Sequence, residues 1–209
     1  MIPLSKRPKQ ATAVRQASLV EAALQLAALR SPADITTADL AQAVGITQGA
    51  VFRHFASKEA IWLAVLDWTA DTLIARLQAA AQACPTPTDP LAALQAVFTA
   101  HVDFVVAYPG VPRVIFQELQ HAQDTALKSR VRSLMQQYRT LVLGLLQRAQ
   151  VQRLLAPGTD LQAAAVLLLG SVQGLLMQAL ISGQVEGMVP QARGVFAIYL
   201  RGLRAKETP

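Results

Sequence analysis

The chain has 209 residues, 53% of them apolar and only 5% aromatic, with a net charge of +6. That is enough apolar material for a sizeable core, and its Ala- and Leu-rich make-up favours helix over strand, so an all-α fold is expected. One cysteine, Cys84, excludes an intrachain disulfide and a cysteine-built metal cluster, and fits a reducing cytoplasm.

The first 15 residues carry Lys6, Arg7, Lys9 and Arg15 and no acid. A basic arm of this kind suits phosphates, and since no apolar h-region follows it, no signal peptide is expected. Val14, Ala17, Leu19, Val20, Ala23, Leu24 and Ala27 recur at helical spacing and predict a helix over Thr12–Leu29, ending before Ser31-Pro32. Two short helices are predicted next, Thr37–Val44 and Gln48–Phe55, then a longer one over Lys58–Ala83. The run from Cys84 to Pro90, with prolines at 85, 87 and 90, predicts a loop. Beyond it, helices are expected over Leu91–Ala107, Pro112–His121, Thr125–Gln152, Leu161–Ser182 and Pro190–Arg204. The organisation predicted is an N-terminal three-helix module over residues 1–57 and a helical bundle over 58–209.

The informative stretch is Thr36 to Phe55. Thr36 suits an N-cap, and Asp39 three residues on completes a capping box, with Ile35 and Leu40 at the staple positions. Gly45 follows Val44 where a helix C-terminus wants a left-handed residue. Thr47 can cap the next helix, leaving only Gly45 and Ile46 between the two: the tight turn of a helix-turn-helix. On the second helix Val51 and Phe55, four apart, suit the core. Thr47, Gln48, Gly49, Ala50, Arg53 and His54 then face outward as short or hydrogen-bonding side chains, which major-groove reading requires. Arg53 can pair with guanine, Gln48 with adenine, and the Thr47 methyl can touch thymine. Gly49 lets the backbone approach a phosphate. Lys58 follows the cap candidate Ser57 and can meet a phosphate.

These residues also resemble a known family. Ala22-Ala23-Leu24, Thr36-Thr37, Leu40-Ala41, Val44-Gly45-Ile46, Gly49, Val51-Phe52-Arg53-His54-Phe55 and Ser57-Lys58-Glu59-Ala60-Ile61 are similar to the DNA-binding domain of the TetR family of bacterial regulators. The resemblance implies that Thr37, Thr47, Gln48, Gly49, Phe52, His54 and Lys58 touch DNA, mostly its phosphates, and that Arg53 reads bases. Phe52 is a departure, since the family commonly has tyrosine there, and one phosphate hydrogen bond goes with the hydroxyl. Arg30-Ser31-Pro32-Ala33 is another, where the family often has a glycine-containing turn. The family pairs this reader with a helical domain that dimerises and binds a small effector.

Leu161 to Ile181 carries no charge and is long enough to span a bilayer, and Gly170 and Gly174 form a GxxxG pair. A membrane-associated or helical interaction protein is therefore the alternative function. Gln162, Ser171, Gln173 and Gln178, and the lack of aromatic or basic flanks, favour a buried helix at a soluble interface instead, with no membrane partner. The expected homodimer interface uses Leu168, Gly170, Gly174 and Leu175 with Phe196 and Tyr199 of the last helix, and a twofold dimer implies a roughly palindromic operator in double-stranded DNA. Phe104, Tyr108, Phe116, Met135, Tyr138, Gln173 and Met177 are candidates to line an effector pocket with an apolar wall and a few polar anchors.

No enzyme chemistry is expected. Glu118 and His121 have a metal-ligating spacing, but a di-iron bundle needs a second such pair and further glutamates. No Ser–His–Asp set or phosphate loop is present, so no metal or other cofactor is expected. His101 reads as an amphipathic-helix residue. The acid-free run Lys128, Arg130, Arg132, Arg139, Arg148 and Arg153 reads as a solvated helix face.

Overall fold

A computed structural model describes residues 12–84 and 88–204. Lys6, Arg7 and Lys9 of the basic arm, and residues 85–87 of the predicted loop, lie outside the described residues. The described residues form a run of helices: α1 (Thr12–Leu29), α2 (Thr37–Val44), α3 (Gln48–Val51), α4 (Lys58–Gln82), α5 (Pro90–Ala107), α6 (Gly110–Leu119), α7 (Ala126–Val151), α8 (Leu161–Ser182) and α9 (Met188–Leu203). Two 3-10 turns, Pro32–Asp34 and Val185–Gly187, join α1 to α2 and α8 to α9. Among the described residues there is no strand, only an isolated bridge between Leu155 and Arg204.

The helix starts follow side-chain chemistry. Asp89 accepts from the Leu91 and Ala92 amides ahead of α5, Thr125 from the Lys128 amide ahead of α7, and Asp160 from the Gln162 and Ala163 amides ahead of α8. Two helices begin two residues before the predicted prolines, α6 at Gly110 and α9 at Met188. The reason is that proline fits anywhere in a first turn, where its missing N–H has no intrahelical acceptor. Gly183, at φ 71°, ends α8 in the left-handed region.

α4 packs against α1 on one side and against α5 and α7 on the other, so one continuous helix serves both the N-terminal module and the bundle. Arg130 of α7 pairs with Asp67 of α4 at 2.6 Å. Arg76 of α4 lies over the rings of Phe104 and Tyr108, at 5.6 and 5.1 Å from their centroids. The bundle closes through α9: Phe98 and Phe196 rings are 5.3 Å apart, and the Tyr199 hydroxyl donates to the Ala164 carbonyl at 3.0 Å.

These contacts correct the predicted dimer interface. Leu168, Leu175, Phe196 and Tyr199 are all buried within their own protomer. α8 has apolar residues on more than one face, and its packing against α5, α7 and α9 turns this set inward. Among the residues left outside are Val166, Leu167, Gly170, Gly174, Met177 and Ile181 on α8, and Ile198 on α9.

Candidate nucleic-acid interface and effector cavity

The N-terminal module builds its reading surface from two caps and one glycine. Thr36 and Asp39 bond reciprocally: the Thr36 amide donates to Asp39 Oδ2 at 2.7 Å and the Asp39 amide to Thr36 Oγ1 at 3.1 Å. Those hydrogen bonds from Thr36, with Arg30 Nη2 at 2.9 Å, hold the Asp39 carboxyl at about 2 instead of 3.8. Gly45, at φ 70°, turns the chain out of α2, and the Ile46 amide closes the turn on the Ala41 carbonyl at 2.9 Å. Thr47 then caps α3 by accepting from the Ala50 amide at 3.3 Å.

α3 is one turn long, shorter than the predicted Gln48–Phe55. After Val51 the amides of Arg53 and His54 reach back only three residues, to the Ala50 and Val51 carbonyls. The helix tightens into turns because Phe55 must enter the core while Ser57 caps α4, accepting from the Ala60 amide at 3.1 Å.

Val51 and Phe55 are buried, as helical spacing required. Thr47, Gln48, Gly49, Phe52 and Arg53 are exposed on one surface, and no acidic residue occurs between Asp39 and Glu59. Nothing stands within 4 Å of where a Gly49 side chain would begin, so the backbone there is open to approach. Phe52 leaves half its surface in solvent.

Two predicted contacts are corrected. Ala50 is buried, since it sits one position before Val51 on the inward side of a single turn. Thr37 is buried as well, and its hydroxyl accepts from Gln48 Nε2 at 2.8 Å, which pre-orients Gln48. His54 is half-buried; its carbonyl accepts from Gln16 Nε2 at 2.9 Å, tying this segment to α1, while its Nδ1 has no partner among the described residues. Lys58 is half-buried and donates to the Ala33 carbonyl at 3.0 Å, so its amine is held at the edge of the reading surface.

The bundle contains a cavity of about 320 Å³, walled by α5, α6, α7 and α8 with Leu73 of α4. Phe104, Phe116, Met135, Tyr138 and Gln173 line it, as expected. Tyr108 does not: it packs edge-on against Trp68, 4.9 Å between ring centroids, and its hydroxyl accepts from Arg76 Nη2 at 3.1 Å at the α4 surface. Met177 does not either: it is exposed on the outer side of α8.

Sequence reasoning missed three polar groups of this cavity: His101, Lys128 and Arg132. A signal was present. Lys128, Arg132, Met135 and Tyr138 recur at helical spacing on α7, so the two cations belong to the same stripe as two residues assigned to the pocket. His101 Nδ1 lies 3.2 Å from the Tyr138 hydroxyl. Although the residue lines the cavity, its ring is removed from bulk water, and burial lowers its pKa from 6.5 to about 4. Burial pushes the Tyr138 hydroxyl the other way, above the usual phenol range. The pair is therefore neutral near pH 7.

Residues 19–65 match the family model described as bacterial regulatory proteins, tetR family. The N-terminal module, residues 19–65, is thus similar to the DNA-binding domain of TetR-family regulators. The nucleoid occlusion factor SlmA of Marinobacter nauticus is 26% identical over 164 residues, covering 78% of this chain and 83% of that protein. Among solved structures, the transcriptional regulator FadR of Bacillus subtilis, in complex with stearoyl-CoA, superposes with a TM-score of 0.77 at 16% identity, covering 89% of this chain and 98% of that one. The ketosteroid transcriptional regulator KstR2 of Mycobacterium tuberculosis gives a TM-score of 0.75 at 22% identity, over 92% of this chain and 96% of that one. At such identities the likeness speaks to the fold alone, which is shared through both the N-terminal module and the bundle.

Proposed function

We propose that this protein is a dimeric, sequence-specific DNA-binding transcriptional regulator, a repressor released when a small molecule enters the bundle cavity. The observation that carries the DNA reading is the division of labour around α3. Val51 and Phe55 anchor it in the core while Gln48, Gly49, Phe52 and Arg53 stand outward on an acid-free surface. Arg53 takes the base-reading role, and Thr47, Gly49, Phe52, His54 and Lys58 position the domain on the backbone. The unit 1–57 is the reader, and residues from 58 onward hold and control it.

The exposed apolar stripe on α8 and α9 supports the homodimer. Val166, Leu167, Met177, Ile181 and Ile198 are between 45% and 73% exposed, a contiguous apolar face that a soluble protomer would cover. Two readers related by a twofold axis would sit about 34–36 Å apart on successive major-groove faces, giving a roughly palindromic operator. The effector reading rests on the cavity, which falls within the size of small-molecule sites. FadR, one of the proteins with this fold, was solved with an acyl-CoA. No catalytic role is assigned, and the site of action is the cytoplasm.

A second reading has one observation in its favour: α8 is long and apolar enough to cross a membrane. Against it, Leu168, Val172, Leu175, Leu176 and Ala179 are buried against the protomer's other helices, which leaves lipid only the opposite stripe.

Selection of bound sequences from random duplex DNA by the full chain tests the reading. Enrichment of an inverted repeat is the expected result. Recovery of no common sequence would remove the regulator assignment.

A further inference from the structure

We infer that the ligand of the cavity is an amphiphile, a hydrocarbon body carrying an anionic head, with the head seated over Arg132 and Arg139. This rests on reading the cavity as an effector site and adds the class of molecule it takes. The argument begins with the inner wall. Its two polar groups, His101 Nδ1 and the Tyr138 hydroxyl, lie 3.2 Å apart and bond to one another. Apart from Lys128, Arg132 and Gln173, the rest of the lining is aliphatic or aromatic, so most of the cavity suits hydrocarbon.

The outer end differs in kind. Arg132, Met135, Leu169 and Gln173 border both the cavity and an adjoining groove of about 700 Å³ between α7 and α8. That groove adds Arg139, Gln136 and Thr140 from α7. Lys128, Arg132 and Arg139 fall at helical spacing along α7, so cations run from the cavity mouth into the groove. Neither α7 nor α8 contains an aspartate or glutamate. Asp124, ahead of α7, is the carboxylate that pairs with Arg132, one of these cations, so positive charge predominates at the exit, which favours an anion and disfavours a cation.

The cations are held yet replaceable. Arg132 pairs with Asp124 at 2.7 Å, with both side chains well exposed. Such a pair contributes little in water, so a carboxylate or phosphate can take its place. Arg139 donates to Gln162 at 2.8 Å and Lys128 to the His121 carbonyl at 2.8 Å, neutral acceptors that leave both charges uncompensated. Val166 and Gly170 form the far wall of the groove and belong to the exposed α8 stripe, so in the proposed dimer the head would lie at the edge of the twofold interface.

Calorimetric titration of the full chain with four ten-carbon probes tests this: decyl phosphate, decanoate, decanol and decylammonium, all below their micellar range. The two anions should bind about tenfold or more tighter than decanol, with decylammonium weakest. Arg132→Gln with Arg139→Gln should erase the advantage of the anions and leave decanol unchanged, and the Lys replacements should restore most of it. Ile115→Trp, which fills the cavity wall, should weaken all four, with a thermal melt confirming the fold. Equal binding of decanol and decanoate, or an anion advantage that survives the Gln pair, would overturn the anionic head while leaving the cavity as an effector site. Binding of none of the probes, or unchanged binding by Ile115→Trp, would overturn both.

Discussion

Gly110, the first residue of α6, lies so close to α1 that a Cβ on it would stand 2.2 Å from the Leu24 carbonyl oxygen and 2.9 Å from the Ala28 nitrogen. Both are backbone atoms of a helix and cannot swing away. α6 also supplies Val111, Pro112, Ile115 and Phe116 to the cavity wall, so the reader and the cavity meet at this glycine.

Gly110→Ala is therefore expected to force α6 away from α1 and to cost about 1–3 kcal/mol, the range for inserting a methyl into a packed contact. Urea unfolding followed by operator titration would check it: the midpoint should fall, and operator affinity should change even though no DNA-facing residue is altered. A variant matching the wild type in both would mean that the two elements are not mechanically joined there.

Arg53→Ala should lose roughly 1–3 kcal/mol of operator binding and relax preference at one operator position. Comparing variant and wild type on a panel of single-base operator changes separates this from a uniform loss.

Lys58→Ala should behave differently. Its amine is held by the Ala33 carbonyl at 3.0 Å beside the reading surface, which suits a phosphate contact and not base reading. Affinity should fall on all sequences alike, and the slope of log affinity against log salt should shrink by about 0.9. An unchanged slope would remove Lys58 from the phosphate footprint.

Gly170 has open space where a side chain would begin. Gly170→Leu should thus leave the protomer folded while raising the dimer dissociation constant by about tenfold or more, measured by sedimentation equilibrium. Phe196→Ala is the contrasting variant. Phe196 packs on Phe98 and Tyr199 inside one protomer, so its loss should cost about 3–5 kcal/mol of unfolding free energy.

His101 gives a pH dependence with a definite sign. Its folded pKa, about 4, lies below its ordinary 6.5. As pH falls below about 6.5 the unfolded chain takes up a proton that the folded chain refuses, so stability declines until the folded state also protonates near pH 4. Denaturant midpoints should fall across that window in the wild type and less steeply in His101→Phe. Asp39 acts in a lower window: its pKa of about 2 means its contribution is lost only as pH drops from 3.8 toward 2.

The helix-turn-helix was legible in the linear chain because each signal is local. Thr36 and Asp39 are three residues apart, Gly45 needs only its own φ, and Val51 and Phe55 need only a helical turn. The bounds of α1, α2 and α8 agree with the spacing of their apolar residues and stop signals for the same reason. Part of the cavity was also legible, chiefly as aromatic and methionine side chains on helices that had to meet. What one-dimensional reasoning could not decide was which of two apolar stripes on one helix serves the protomer. On α8, Leu168 and Leu175 are as apolar as Leu167 and Met177, and only the positions of α5, α7 and α9 turn the first pair inward. Likewise His101 and Tyr138, 37 residues apart, become one neutral pair only when α5 meets α7. The sequence by itself determined helices, caps and a reading head, which depend on neighbours along the chain. Tertiary packing alone decided which faces close the core, which stay free for a partner, and where cations gather beside an apolar cavity.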